Sequence, residues 1–409
     1  MAKKPVVKAK ASVVKSAERN SVLAQLRNHK MARSAHAYVR GNTVKFYDWL
    51  EQHNPDLPQG PAVWICGDCH VGNLGPISDK KGRVAIQIRD LDQTVIGNPA
   101  HDLIRLGLSL ASAARGSDLP GVTTAHVLEM LIGGYRDALA GDFELTEDRT
   151  HRPKTIQRLL SSSVQRRWRH LAEERLHDVS PSIPLGKRFW HLSAEERNAV
   201  KALVGSEEVQ TLVTSLRGRS DKDPLQLVDV AYWVKGCSSL GSLRYAVLVR
   251  VGEGEGSSLC LLDIKEALPA AAPRAEDAKM PRDNAVRVVT GAKALSPNLG
   301  NRMLAARLLE RPVFLRELRP QDLKIELGSL SHDEARNLSA YLGQVLGRAH
   351  GRQMDAHTRA GWAAELGKTS SAKLDAPYWL WSAVVELVAQ HEVAYLEHCR
   401  KYALQSRAA

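Results

Sequence analysis

The sequence predicts an α+β protein with two lobes, one mostly helical and a smaller one built on an antiparallel sheet. Apolar residues make up 44% and charged residues 25% of 409 positions, the balance of a globular chain that can bury a large core. Helical spacing of apolar residues marks both ends of the chain. Between them, residues 225–320 hold β-type runs separated by Gly/Ser turns. A strand-rich block therefore lies between two helical blocks.

Composition and charge restrict the class of protein. No stretch approaches the roughly 18 apolar residues that a membrane-spanning helix needs. The start of the chain lacks the apolar block of a secretory signal, and five cysteines without such a signal favour a reducing compartment. We therefore expect a cytoplasmic protein. Residues 1–15 contribute five lysines to a net charge of +12, which predicts a flexible basic tail over residues 1–17.

The first half of the chain reads as helices around two strand–loop units. Helical spacing covers 18–53, a strand is predicted at 61–66 before a glycine-punctuated loop, and a second strand spans 83–89. The acidic turn Asp90-Leu-Asp92 follows it. A buried helix is expected over 101–114, and several helices over 121–217.

The second half begins with strands and returns to helices. The sequence predicts strands at 228–234, 244–251, 259–264 and 313–318, and a helix over 284–309 interrupted at Pro297. A capping box of Ser331 and Glu334 opens a helix to Gln353, and Pro377 opens a last helix to about Tyr402. The predicted division is a helical lobe over 18–224, a strand-rich lobe over 225–320, and helices over 321–409 that complete the first lobe.

Three polar side chains follow the first two strands. Asp68 and Asn73 lie five positions apart on the loop after one strand, and Asp90 begins the turn after the next. Phosphoryl transfer uses a carboxylate that accepts the hydroxyl proton of the acceptor. It also uses an amide oxygen and a second carboxylate that bind Mg²⁺. The alternative is a turn held by Asx hydrogen bonds.

The surrounding residues add a family resemblance. The segments Cys66-Gly-Asp-Cys-His-Val-Gly-Asn-Leu74, Ile88-Arg-Asp-Leu-Asp92 and Gly97-Asn-Pro-Ala-His-Asp-Leu-Ile-Arg-Leu106 resemble the catalytic core of aminoglycoside phosphotransferase-type kinases. The resemblance implies that Asp68 is the catalytic base, that Asn73 and Asp90 bind magnesium, and that Asp102 supports the loop. Asp92 is a further supporting candidate. Cys66 departs from the histidine usual in those kinases.

The strand-rich block supplies a candidate nucleotide site. The small residues Gly236, Ser238, Ser239 and Gly241 lie between two β-type runs, where backbone N–H groups could approach phosphate oxygens. Lys265 ends a strand about twenty residues later, as does the lysine that pairs with nucleotide phosphates in kinases. The alternatives are an ordinary hairpin turn and an exposed strand-end lysine.

The catalytic loop precedes the glycine loop, the reverse of the order in those kinases. A circular permutation of a protein-kinase-like fold would account for this order. The chain also resembles, over nearly its whole length, the bacterial domain-of-unknown-function 2252 family, which has the same order. A glutamate partner for Lys265 cannot be assigned from the sequence; Glu276 is one candidate.

The favoured interpretation is an Mg²⁺–ATP-dependent phosphotransferase acting on a hydroxyl of an unidentified acceptor. A non-catalytic nucleotide-binding protein of the same fold is the alternative. Nucleic-acid binding through the basic run Arg149 to Arg169 is less favoured. Cys66-Gly-Asp-Cys69-His70 also matches a haem attachment pattern, and a zinc site and a redox dithiol are further, less favoured alternatives for these cysteines. His70 either positions the catalytic loop or bonds to the backbone.

Overall fold

A computed structural model describes most of the chain. The described residues are 14, 18–53, 56–116, 119–141, 152–175, 182–236, 240–323, 325, 331–368, 370–371 and 374–402. They form a mixed α+β structure with antiparallel sheets, which confirms the predicted α+β class. Of the described residues, no helix combines the length and the apolar character needed to cross a membrane.

Helices occur along the chain both before and after the strands of the largest sheet. They are α1 (Arg19–Met31), α2 (Ala35–Gly41), α3 (Thr43–His53), α4 (Ala100–Arg115), α5 (Gly121–Ala140), α6 (Lys154–Gln165), α7 (Trp168–Arg175), α8 (Ala194–Val204), α9 (Glu207–Thr214), α10 (Asn284–Leu295), α11 (Pro297–Gly300), α12 (His332–Gly351), α13 (Ala356–Gly367) and α14 (Tyr378–Tyr402). The predicted capping box is present: the Ser331 hydroxyl accepts from the Glu334 N–H, and the Glu334 carboxylate accepts from the Ser331 N–H.

The strands form four antiparallel sheets among the described residues. They are β1 (Val63–Ile65), β2 (Leu74–Ser78), β3 (Val84–Ile88), β4 (Val95–Gly97), β5 (Phe189–Trp190), β6 (Leu225–Trp233), β7 (Arg244–Val251), β8 (Ser258–Glu266), β9 (Met303–Leu308), β10 (Arg311–Leu318), β11 (Ser370–Ser371) and β12 (Leu374–Pro377). The largest sheet has the order β5-β6-β7-β8-β10-β9, and the pairs β1–β4, β2–β3 and β11–β12 are separate.

Apolar side chains lie on both faces of the six-stranded sheet and are buried there. On β7, Val247 and Val249 belong to one apolar cluster, whereas Ala246 and Leu248 belong to another. Successive side chains of a strand point to opposite faces, so each cluster fills one side of the sheet. The first cluster includes residues of α1, α8 and α9, and the second reaches α7.

One predicted element is wrong. The segment Met303–Leu308, expected to continue a helix, is strand β9 and pairs with β10 along its length. Its residues are good helix formers, but hydrogen bonding to β10 and burial of Met303 and Leu308 outweigh that local preference. The short strand β5 was not predicted because two residues carry no readable alternation.

Candidate functional site

The loop after β1 is fixed by a carboxylate from α4. Asp102, which is buried, accepts hydrogen bonds from the backbone N–H groups of Cys66 at 2.6 Å and Gly67 at 3.0 Å. Gly67 has a φ of +75°, and a Cβ atom there would lie 2.1 Å from the carbonyl oxygen of Gln93. Only glycine fits this position without displacing the backbone.

Asp102 also connects the loop to α12. The His350 Nε2 lies 3.2 Å from the Asp102 carboxylate, and the His350 Nδ1 lies 2.9 Å from the hydroxyl of Tyr135. The indole of Trp362 donates to that hydroxyl at 3.2 Å. A buried polar chain therefore fixes the loop to α5, α12 and α13.

Asp68 is held by a buried arginine that the sequence interpretation did not single out. Arg105 Nε donates to Asp68 Oδ1 at 2.9 Å, and Arg105 Nη2 donates to the Val39 carbonyl at 2.8 Å. Asn73 closes the loop because its side-chain NH₂ donates to the Asp68 carbonyl at 2.9 Å. Arg105 lies three residues after Asp102 on α4, the spacing that puts both on one helix face. That spacing was the signal available in the sequence.

The acidic turn after β3 meets the large sheet at Lys265. The Lys265 amine is hydrogen bonded to Asp92 Oδ2 and lies 3.6 Å from Asp90 Oδ1. Lys265 and Asp92 are 173 positions apart in the chain. The lysine side chain is 6% exposed, whereas that of Asp90 is 49% exposed. Two of the predicted site residues, Lys265 and Asp90, therefore lie close together, with Asp92 beside them.

The charges at this turn shift each other's protonation. Partial removal of the Asp90 carboxylate from water would raise its pKa, but attraction to Lys265 and Arg316 outweighs this effect and lowers the pKa to about 2. Burial lowers the pKa of Lys265 despite the opposing attraction of Asp90. The Asp90 carboxylate is therefore ionised at neutral pH and available as a cation ligand.

Two side-chain oxygen atoms of the candidate site have the chemistry to bind a hard cation. Asp92 Oδ1 is buried and has no hydrogen-bond partner in the part of the chain that the structure describes. The bond from Asn73 to Asp68 uses the amide nitrogen and leaves the amide oxygen outside it. No group of three or more His, Cys, Asp or Glu side chains among the described residues is placed to hold a metal. A magnesium ion here would need further oxygens from its ligand, as is common for Mg²⁺.

A second ion pair reinforces the sheet beside Lys265. Arg244 lies on β7, in register with Lys265 of the neighbouring strand β8, and donates through Nε to Asp263 at 2.8 Å. Arg316 of β10 lies 3.9 Å from the same carboxylate. Arg316 also donates to the Arg89 carbonyl at 2.9 Å, which joins β10 to the acidic turn. The sequence interpretation missed the role of these arginines because ion pairs across strands depend on register.

His70 is buried beneath a second arginine. Burial, aided by Arg40 and Arg105 and opposed by Asp68, lowers the pKa of His70 to about 3. Its Nδ1 has no hydrogen-bond partner among the residues described, which leaves the backbone-bonded alternative without support at that atom. A Cβ atom at Gly72 would lie 3.1 Å from Cζ of Arg40, so α2 rests directly on the loop.

The predicted phosphate loop is described only at its two ends. Gly236 and Gly241 have φ values of +91° and +110°, backbone conformations that favour glycine. Ser238 and Ser239 lie outside the described residues. Lys30 of α1 donates to the Gly236 carbonyl at 2.9 Å. The loop enters β7 opposite the end of β8, the strand that carries Lys265.

The remaining sequence candidates lie apart from this site or in its core. Cys66 and Cys69 are buried, free thiols, and the contact between them together with burial raises the pKa of Cys66. Glu276 is exposed, and the ion pairs of Lys265 involve Asp90 and Asp92. Of the basic run, residues 149–151 lie outside the described residues, and Lys154 and Arg158 are exposed on α6.

The described part of the chain has cavities that are open to the surface, and two of them are considered for ligand binding. One of about 750 Å³ lies among the β2–β3 hairpin, α9 and β9, with Lys80, Glu208 and Met303 in its lining, and includes none of the predicted site residues. A smaller one of about 340 Å³ is lined by α1, Asn42 and the Gly241 end of the phosphate loop.

The structure thus defines an α+β protein in which a buried lysine of the large sheet meets an acidic turn of the helical part. The chain belongs to the bacterial family described as uncharacterized protein conserved in bacteria, domain of unknown function 2252. The family model matches residues 19–401. No curated protein and no solved structure matches the chain.

Proposed function

We propose that this protein is an Mg²⁺–ATP-dependent phosphotransferase with a circularly permuted kinase-like fold, acting on a hydroxyl group. The observation that carries the proposal is the position of the Lys265 amine against Asp92 and 3.6 Å from Asp90. In kinases a strand lysine and a metal-binding aspartate must both reach the nucleotide phosphates. Their proximity across so much of the chain is hard to explain by local structure alone.

The arrangement of the sheet supports the same proposal. Lys265 lies at the end of β8, the third strand of the run β6-β7-β8, and α10 follows before β9 and β10. Kinases likewise carry the lysine on their third strand, after a glycine-rich loop that covers the phosphates. Here the glycine-bearing connection between β6 and β7 would occupy that place.

Asn73 of the loop after β1 and the aspartates of the acidic turn would bind the metal ion. Asn73 and Asp90, with the unpartnered oxygen of Asp92, would hold magnesium, which would neutralise phosphate charge. Lys265 would orient the phosphates. Asp68 would accept the acceptor's proton, and Arg105 keeps one of its oxygens fixed so that the carboxylate has one orientation.

A non-catalytic nucleotide-binding protein is the second candidate, and one observation favours it. Active kinases pair the strand lysine with a glutamate of the following helix. Here α10 contains no glutamate, and Lys265 instead pairs with the two aspartates of the turn. A protein that binds nucleotide without turnover is consistent with that arrangement.

ATP binding and γ-phosphate release, each measured with Mg²⁺ and with EDTA, test the proposal. We expect binding that depends on magnesium and falls at least tenfold in Asp90→Asn, with no change in Asp277→Asn, an exposed control. Tight binding without γ-phosphate loss across a panel of alcohols would favour the second candidate. Binding that is equally strong with and without metal, in both the wild type and Asp90→Asn, would refute the phosphotransferase proposal, and absence of ATP binding would refute both candidates.

A further inference from the structure

The smaller cavity lies beside the proposed phosphate loop and has a distinctive lining. Five of its lining residues, Asn20, Ala24, Arg27, Asn28 and Met31, lie at helical spacing on one face of α1. Leu240 and Gly241 of the loop and Asn42 after α2 complete the lining. The cavity is therefore a cleft between the N-terminal helices and the large sheet.

The cleft is connected to the proposed catalytic loop through α2. Asn42 follows α2, and Arg40 of that helix rests against Gly72 of the loop. The Val39 carbonyl is held by Arg105, the same side chain that binds Asp68. One guanidinium thus fixes both the proposed base and the helix that leads to the cleft.

Three polar groups of the cleft are available to a ligand. The side-chain amides of Asn20 and Asn28 make no hydrogen bond to another described residue. Arg27 Nη2 donates to the Gly41 carbonyl at 3.4 Å and Nε is buried, which leaves Nη1 as the guanidinium nitrogen for a ligand. The Asn42 amide is already used, because it donates to Tyr38 and accepts from the Lys45 N–H.

The chemistry of these groups selects a class of ligand. A carboxamide both donates and accepts, which suits hydroxyl groups, and a guanidinium suits phosphate or carboxylate. None of the described residues that line the cleft is acidic, so a polycation would find no counter-charge there. The volume of about 340 Å³ lies near the lower end of the range for small-molecule sites. A ligand the size of a monosaccharide fits.

We propose that this cleft is the acceptor site and that the acceptor is a small anionic polyol such as a sugar phosphate. This inference depends on the proposed phosphotransferase function. A hydroxyl oxygen of the polyol forms the new O–P bond while the bond from the γ-phosphorus to the bridging oxygen breaks. ADP leaves, and the hydroxyl proton passes to Asp68.

Titration calorimetry with three probes tests the acceptor site: glucose 6-phosphate, glucose and the polycation kanamycin. We expect glucose 6-phosphate to bind at least tenfold more tightly than the other two. Asn28→Asp, which keeps the shape but adds a negative charge, should weaken that binding tenfold or more, as should Arg27→Met. The control Arg33→Met, an exposed arginine just beyond α1, should stay within twofold. Melting curves by circular dichroism identify a variant that has lost its fold, and Asn28→Asp remains informative if Arg27→Met has.

Mg²⁺–ATP titrated into the same samples separates this inference from the proposed function. If ATP binds but glucose 6-phosphate does not, or kanamycin binds more tightly, the acceptor site is refuted and the phosphotransferase proposal stands. Competition between ATP and glucose 6-phosphate would make the cleft part of the nucleotide site and would also refute it. Glucose 6-phosphate binding with the expected variant pattern, but no ATP binding, would overturn the phosphotransferase proposal and the acceptor role with it.

Discussion

The contact between Asp102 and the loop after β1 predicts a large loss of stability when that carboxylate is removed. In Asp102→Ala the buried N–H groups of Cys66 and Gly67 lose their acceptor. Hydrogen bonds to a charged group contribute about 1.5–3 kcal/mol each, so two of them give about 3–6 kcal/mol. Whole domains have only about 5–15 kcal/mol of stability. The variant should therefore be close to unfolding at room temperature.

Asp102→Asn sharpens this prediction because it keeps one acceptor oxygen but turns an NH₂ group toward an N–H donor. The loss of unfolding free energy in Asp102→Asn should be about half of the loss in Asp102→Ala. The free energy of unfolding is measured by urea titration, with Asp137→Asn on the exposed face of α5 as control, expected within about 0.5 kcal/mol of wild type. A loss in Asp102→Ala no larger than that of the control would refute the reasoning.

Three further predictions test other parts of the site. Gly67→Ala should lose about 2 kcal/mol more stability in urea titrations than Gly254→Ala, because both have positive φ but only Gly67 has a backbone oxygen where the Cβ would lie; equal losses would contradict this. The pKa of His70 is lowered from 6.5 to about 3, so on acidification His70 is protonated in the unfolded chain before it is protonated in the folded one. The free energy of unfolding of the wild type should therefore fall, relative to that of His70→Gln, by up to about 1.4 kcal/mol per pH unit between pH 6 and pH 4. A difference between the two proteins that does not change with pH would exclude a neutral buried imidazole. Arg105→Lys keeps the charge but cannot contact Asp68 and the Val39 carbonyl at the same time, so turnover should fall at least tenfold with little change in ATP affinity. Arg115→Lys on the surface is the control and should change neither quantity. Unchanged turnover in Arg105→Lys would show that Asp68 does not need this support.

Much of the fold could be predicted because local signals were strong. Glycines, prolines and acidic turns marked the ends of β1, β3 and α4, and the capping box marked the start of α12. β-Branched runs marked the strands of the large sheet. The prediction failed at Met303–Leu308, where pairing with β10 decides the structure and the residues themselves favour a helix.

The site was predictable only in its local parts. Asp68, Asn73 and Asp90 lie on loops whose residues are adjacent in sequence, so their spacing was informative. The counter-ion of Lys265 could not be predicted from spacing, since Asp92 is 173 positions away in the chain and the expected partner was a helix glutamate. Arg105 and Arg316 act through contacts that depend on helix crossing and strand register, which one sequence does not reveal.

Chemical labelling with an acyl-phosphate derivative of ATP tests the central claim most directly. Such a reagent, bound through its nucleotide, transfers its acyl group to a lysine beside the terminal phosphate, and peptide mass spectrometry identifies that lysine. The account predicts selective acylation of Lys265, suppressed by excess Mg²⁺–ATP. Labelling spread over exposed lysines such as Lys81 and Lys201, with Lys265 unmodified and no protection by ATP, would contradict it.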